Sequence, residues 1–318
     1  MQTGGSAMCR RFSHPLLPGM TVGLVAPASP IFEPERRDAA VRLLEDMGFR
    51  VRRGQTVDAV DFCYAGDHAL RAQDLQQMFL DDSIDGVICL RGGYGSARLL
   101  PLLDYEAIAR HPKPFVGFSD ITALHTALHE RCGFVTFHGP MPGVMDPIGL
   151  REPRARRQWL DTLAGKAPRQ LLNPDGEPFA AQGDHCVQGR LIGGNLSTLT
   201  GLIGTPWEPN WDGCLLLLED VSERTDRLDG MMEQLRGAGV FERIAGLVIG
   251  DFSRYEGMTT PRKVPLHRII QEAVPPQLPL IWRLHAGHGR DRMTLMLGAK
   301  YRLNPHKATL TLCEHPFR

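Results

Sequence analysis

Residues 114–133 read Pro-Phe-Val-Gly-Phe-Ser-Asp-Ile-Thr-Ala-Leu-His-Thr-Ala-Leu-His-Glu-Arg-Cys-Gly, and this stretch decides the fold. An apolar run ending at Ser119–Asp120 passes without a spacer into ITALHTALHERCG, the pattern of a buried strand that turns directly into a helix. The same unit recurs upstream. TVGLVAP (21–27) reads as a buried strand, and Glu35–Met47 as a helix that Gly48 can close in a left-handed cap. Phe49–Arg53 gives a second strand. Asp67 can cap a helix reaching Leu80, with Leu70, Leu75, Met78 and Phe79 near one face. DGVICLRGGYG then supplies a strand ending in a loop that carries Gly92, Gly93 and Gly95. Strand and helix alternating in this way imply a parallel sheet covered on both faces, so an α/β domain of doubly wound type is expected over residues 1–150.

From Arg151 to Asp184 the pattern changes. REPRARRQWL is basic and helical in character, while NPDGEPFAAQGD is rich in turn residues, so 151–184 reads as an inter-domain connection. Residues 185–318 resume with GRLIGGNL, the strand CLLLLED, a helix near Arg227–Arg236, AGLVIGDF, and a helix near Pro265–Val274. LPLIWRL and closing strands in TLMLGAKYRL and ATLTLCE follow. The expectation is a smaller mixed α/β domain.

Composition limits the function. The 318 residues carry 36 basic and 36 acidic side chains, a net charge of zero, which argues against nucleic acid or an anionic membrane as a partner. The hydrophobic fraction is 42%, ordinary for a globular protein. The seven cysteines are scattered without a CxxC pair, so neither a disulfide framework nor a cysteine metal site is indicated. Cys89 and Cys214 sit in apolar runs as buried thiols. No secretion signal or membrane span is visible, and the expected location is the cytoplasm.

Several residues can carry chemistry. Ser119 stands in a strand-to-helix turn, where a hydroxyl is lifted clear of the sheet and the amide of Asp120 can bind an oxyanion; capping of the following helix explains it equally well. The glycine loop 91–95 matches no nucleotide-binding pattern, but its amides can approach a ligand closely. Glu219 and Asp220 end a buried run, where a carboxylate is either solvated or pairs with a base. His125 and His129 are spaced i, i+4 but lack the HExxH glutamate. His138 ends the strand FVTFHGP, and His285 and His288 lie in LHAGHGRDRM. Serine, carboxylate and histidine, all at strand ends and with no metal or cofactor motif, suit acyl transfer. In that chemistry the imidazole takes the hydroxyl proton, the carboxylate steadies the imidazolium and amides hold the oxyanion.

The chain resembles the LD-carboxypeptidases, serine peptidases of murein recycling. The resemblance runs through YAGDHALRAQDLQQMF, RGGYGSARLLPLLDY, PKPFVGFSDITALH, FHGP, GRLIGGNLSTLTGLIGTPW, LLLLEDVSE and GHGRDRMTLMLGA. It implies a flavodoxin-like N-terminal domain, a smaller C-terminal domain and a homodimer. It also implies Ser119 as nucleophile, Glu219 and His288 as its partners, and amides of Gly93 and Asp120 as the oxyanion hole. His285 is the neighbour that could be mistaken for the histidine. Met296 stands where the family pattern has proline, a structural position. The implied substrate is a murein tetrapeptide losing its terminal D-alanine. A free carboxylate there calls for an arginine, and Arg91 is the candidate, with local bracing as its other explanation; Asn195 is a candidate for lining the cleft. Two other readings remain. One is a self-immunity peptidase acting on a microcin C-type peptide-nucleotide, for which only Trp207 and Trp211 could stack a base. The other is a non-catalytic module binding a small anion.

Overall fold

The computed structural model describes residues 13–144, 149–254, 264–289, 292–314 and 317. Of the seven cysteines, Cys9 lies outside these residues, and the six described ones are all free thiols.

The first half forms the expected strand–helix series, with one short helix, α3, that the sequence reading lacks: β1 (Thr21–Val25), α1 (Pro34–Asp46), β2 (Arg50–Arg53), α2 (His68–Leu80), β3 (Gly86–Cys89), α3 (Tyr105–Ala109), β4 (Phe115–Gly117), α4 (Thr122–Cys132) and β5 (Thr136–His138). Local signals account for the boundaries. Asp67 accepts from the Leu70 amide at 2.7 Å to start α2, and Gly48, at φ 93°, ends the turn after α1. The five strands pair in parallel in the order β5-β4-β3-β1-β2, so the chain reverses direction across the sheet between β1 and β3. In such sheets the crevice at the carboxyl ends of the strands is where ligands bind.

The second half continues with α5 (Pro153–Leu163), β6 (Ala180–Gln182), β7 (Val187–Asn195), α6 (Leu196–Thr200), β8 (Leu215–Val221), α7 (Thr225–Gly237), α8 (Val240–Arg243), β9 (Gly246–Ser253), α9 (Leu266–Ala273), β10 (Leu280–Trp282), β11 (Leu295–Leu297), β12 (Lys300–Asn304) and β13 (Thr309–Leu312). Its sheet runs β13-β12-β7-β8-β9-β10-β6, with parallel strands β7 to β10 at the centre and antiparallel strands at both edges. The fold is thus two α/β units, a parallel sheet and a mixed sheet.

Two expectations need correction. The run TLMLGAKYRL is two strands: Gly298, at φ 85°, turns the chain, so that β12 joins the second sheet while β11 adds antiparallel to β5 at the edge of the first. Residues 151–184 are also more than a connection, since they contain α5 and β6. Trp159 of α5 is fully buried with its ring edge-on to Phe49 at 6.0 Å. Burying an aromatic of that size contributes about 4–6 kcal/mol of transfer free energy, before the entropy of ordering it.

Strand alternation sorts the core. Leu24, Ile88, Val116 and Phe137 on one face of the first sheet join Leu215, Leu217, Val248 and Ile281 of the second in one continuous buried cluster. The opposite face of each sheet is covered by its own helices. The two sheets therefore share a core, and this fixes the relative position of their strand ends.

Candidate active site

Ser119 follows β4 in a one-turn 3₁₀ segment, Ser119–Ile121, with a backbone φ of 67°. Left-handed backbone is costly for a residue with a Cβ, and the turn throws the hydroxyl out of the sheet rather than onto the helix start. α4 has no side-chain cap, so the capping explanation of this serine does not hold. The serine Oγ lies 3.2 Å from His288 Nε2. His288 Nδ1 lies 2.6 Å from Glu219 Oε2. A carboxylate can only accept, so Nδ1 carries the ring proton and Nε2 is left to accept from the serine hydroxyl. The structure thus brings together Ser119, Glu219 and His288 from three distant stretches of chain.

The second sheet positions the other two groups. Glu219 lies near the end of β8, fully buried, opposite a bulge in β9 at Gly250–Asp251. The loop after β10 sits on that bulge: the Asp251 amide donates to Ala286 at 2.8 Å, and Ser253 Oγ donates to the His288 carbonyl at 3.1 Å. Gly287 has φ 108°, and a Cβ there would fall 2.4 Å from Glu219 Oε2, so only glycine lets the imidazole lie against the carboxylate. His285 faces elsewhere, its Nδ1 3.4 Å from Asp175. The end of β7 is also tied to the start of α4, the Asn195 amide donating to Thr122 Oγ1 at 3.0 Å.

Ser119 and His288 open on a cleft of about 400 Å³ lined also by Arg91, Gly92, Gly93, Phe118, Met141 and Val221. The glycine loop presses on the serine, because a Cβ on Gly92 would come within 2.9 Å of the Ser119 Cβ. Gly93 lines the cleft and Asp120 adjoins the serine; the Asp120 carboxylate accepts from the Ser96 amide at 2.8 Å. Burial raises the Asp120 carboxyl above its usual range, opposed by the hydrogen bonds from Ser96.

Arg91 stands at the cleft and is also braced locally. It lines the cleft, and its Nη1 donates to the Pro30 carbonyl at 3.1 Å. Asn195 does not line the cleft: its buried amide caps α6 through Thr198 N at 3.1 Å and donates to Asp220 at 3.0 Å. Asp220 is buried in that capping network, away from His288. Trp211 is fully buried, and Trp207 lines a separate surface groove with Tyr105 and Arg131. Neither tryptophan reaches the cleft.

Three cleft arginines escape notice in the sequence. Arg36 lies on α1, Arg254 just beyond β9, and buried Arg292 sits with its guanidinium 5.4 Å from the Phe118 ring centre. Among the described residues lining the cleft none is acidic and four are arginines, of which Arg36 also pairs with Glu33 at 3.2 Å. His125 and His138 lie beneath, fully or nearly buried and not on a metal site; His125 Nε2 donates to the Gly117 carbonyl at 2.9 Å. Burial pushes His125 down to about 3 and His138 down to about 4, so both rings are neutral at ordinary pH. Among the described residues no cluster of three metal-ligating side chains occurs, and no helix is long and apolar enough to cross a membrane.

Comparison with known proteins agrees with this architecture. Residues 22–139 match the LD-carboxypeptidase N-terminal domain, and residues 188–303 match the LD-carboxypeptidase C-terminal domain. A probable murein peptide carboxypeptidase of Bacillus subtilis is 34% identical over 299 residues, covering 92% of each chain. A murein tetrapeptide carboxypeptidase of Pseudomonas aeruginosa is 37% identical over 84% of this chain and 88% of that protein. Among solved structures, muramoyltetrapeptide carboxypeptidase from Oxalobacter formigenes superposes with a TM-score of 0.78 at 26% identity, over 92% of this chain and 98% of that one. The microcin C7 self-immunity protein MccF in its wild-type apo state gives 0.86 at 25% identity, over 97% and 100%; its sequence from Escherichia coli is 27% identical, over 95% of this chain and 97% of that protein. With both domains matched in order and relatives this similar along nearly the whole chain, the protein belongs to the LD-carboxypeptidase family.

Proposed function

We propose that this hydrolase is a serine LD-carboxypeptidase that removes the terminal D-alanine from murein tetrapeptides, in the cytoplasm, as a homodimer and without a metal or organic cofactor. The observation that carries the mechanism is the unbroken Ser119–His288–Glu219 hydrogen-bond chain at the mouth of an arginine-lined cleft. In the acylation step Ser119 Oγ attacks the carbonyl of the L-centre, and His288 Nε2 takes the hydroxyl proton. Glu219 stabilises the imidazolium, and the amides of Gly93 and Asp120 receive the oxyanion. Collapse of the tetrahedral intermediate breaks the C–N bond as His288 protonates the departing amine of D-alanine. Water, deprotonated by the same imidazole, then hydrolyses the ester and restores the hydroxyl. Arg91, with Arg36, Arg254 and Arg292 around it, supplies the charge that a carboxylate-bearing peptide needs.

The peptide-nucleotide reading draws support from the likeness to MccF, yet Trp207 and Trp211 both lie outside the cleft, and the relatives named for murein peptides are closer in sequence. The non-catalytic reading leaves the Ser119–His288–Glu219 arrangement unexplained. Purified protein, incubated with murein tetrapeptide and a chelator, is expected to release one alanine per peptide by mass spectrometry. Full activity in Ser119→Ala would refute the serine mechanism. Release of a sulfamoyl-adenosine fragment from an aminoacyl conjugate, with the tetrapeptide left intact, would favour the peptide-nucleotide reading.

A further inference from the structure

Arg71, on α2, is fully buried, yet among the described residues no carboxylate hydrogen-bonds to it. Its fork is spent on backbone instead: Nε donates to Gly66 at 3.1 Å, and Nη1 donates to Pro27 at 2.7 Å and Gly95 at 3.0 Å. Nη2 donates to His68 Nδ1 at 2.7 Å, and the guanidinium carbon lies 4.7 Å from the centre of the Tyr64 ring. Burying a cation whose hydrogen bonds go to neutral groups is costly even with the Asp120 carboxylate near enough to attract it, so the arrangement calls for a reason beyond packing. The carbonyls supply one. Pro27 belongs to the loop after β1, and Gly95 closes the glycine loop after β3. Arg71 therefore bonds to both segments across the sheet's reversal point.

Between those loops sits Gly93. Its φ is 117°, and a Cβ there would fall 2.4 Å from Ser29 Oγ in the loop after β1. The Ser29 hydroxyl accepts from the Tyr94 amide at 3.1 Å. On its other side the glycine loop is tied to the nucleophile turn, where Ser96 Oγ donates to the Asp120 carbonyl at 2.5 Å. The position of the Gly93 amide relative to Ser119 thus depends on the spacing that Arg71 sets. We infer that Arg71 is the positioning residue of the oxyanion loop, holding the Gly93 amide at transition-state distance without touching substrate. The inference rests on the serine mechanism proposed above, and it adds a residue to it. Lysine cannot replace the guanidinium, since a point charge with three donors cannot span carbonyls on three segments.

The test is the rate at which a fluorophosphonate labels Ser119. In that reaction the serine oxygen displaces fluoride from phosphorus, His288 takes the proton, and the phosphoryl oxygen needs the same amides as an oxyanion. Arg71→Lys is expected to label at least ~30-fold more slowly than wild type, somewhat less than the roughly 100- to 1,000-fold cost of a lost oxyanion donor, because the amide is displaced and not removed. The pH midpoint of labelling should stay put, because the Ser119–His288–Glu219 contacts are untouched. Ser29→Ala, which disturbs the same loop without removing a buried charge, should slow labelling ~3-fold or more and guards against Arg71 variants that fail to fold. Wild-type labelling rates in folded Arg71→Lys or in Ser29→Ala, or a displaced pH midpoint, would overturn the inference. So would a wild-type protein whose Ser119 does not label at all. A protein that labels in this Arg71-dependent way but leaves murein tetrapeptide intact would overturn the substrate assignment and leave Arg71 in its role.

Discussion

Glu219→Gln separates the chemistry of the site from its stability. The carboxylate is fully buried, 2.6 Å from His288 Nδ1, and Oε1 has no hydrogen-bond partner among the described residues. When His288 takes the serine proton, an imidazolium forms with its charge about 4 Å from that of the carboxylate. At an effective dielectric constant of about 20 this attraction contributes about 4 kcal/mol, or about three orders of magnitude in rate. Glutamine keeps the shape and loses the charge. Its amide can also donate to Nδ1, which would place the ring proton on Nε2 and leave no acceptor for the serine. Turnover of tetrapeptide is therefore expected to fall about 1,000-fold or more. Folding should respond in the opposite sense, since a buried anion with one bare oxygen becomes a neutral amide. The melting temperature should hold or rise by a few degrees, read by circular dichroism on the same preparation used for kinetics. Activity within tenfold of wild type would show that the carboxylate does not support the imidazolium. A melting temperature lowered by more than about 5 °C would show that Glu219 holds the fold together.

Other expectations follow from the same geometry. Gly287→Ala puts a Cβ 2.4 Å from Glu219 Oε2 at a backbone φ of 108°, so turnover should drop at least ~100-fold while the far-ultraviolet spectrum stays native; a rate within threefold of wild type would refute the close approach. Burial pushes Asp251 up to about 6 from 3.8, so the fold keeps a proton that the unfolded chain releases, and this contribution is lost as pH rises through 6. Asp251→Asn should then stabilise the protein at pH 8, by at most about 3 kcal/mol in urea unfolding, and leave it unchanged at pH 4; a loss of stability at pH 8 would contradict this. His125 and His138 act with the opposite sign, because their folded values of about 3 and about 4 lie below 6.5. The unfolded chain takes up protons that the fold refuses as pH falls below 6.5. Even with Asp251 opposing, wild type should be about 2–3 kcal/mol less stable at pH 5 than at pH 7.5, and equal stability would refute the neutral-histidine assignment.

The strand–helix series of the first sheet is plain in the sequence, because period-2 and period-3.6 apolar patterns and caps such as Asp67 are local signals. The same is true of the residue types gathered at the cleft: Ser119, Glu219 and His288 all stand at strand ends. What stays hidden depends on long-range pairing. Leu295–Leu297 are three apolar residues that would suit either sheet, and only the turn at Gly298 sends them to β5 rather than on into β12. Asn195 carries the same side-chain amide whether it caps α6 or lines a cleft, so its partner Asp220 could not be foreseen. Arg36, Arg254 and Arg292 are scattered among 36 basic residues, and their convergence follows from the shared core. Arg71 goes unmarked in the sequence, since nothing near it in the chain announces the carbonyls of Pro27 and Gly95.

Because hydroxyl and imidazole hang from different sheets, the protein cannot hydrolyse anything piecemeal. The hydroxyl of Ser119 and the imidazole of His288 come from positions 169 residues apart in the chain, so a fragment holding the first sheet's five parallel strands alone would carry one group without the other. The return of β11 to the edge of the first sheet stitches the segment that follows His288 one strand away from β4, which carries the Ser119 turn.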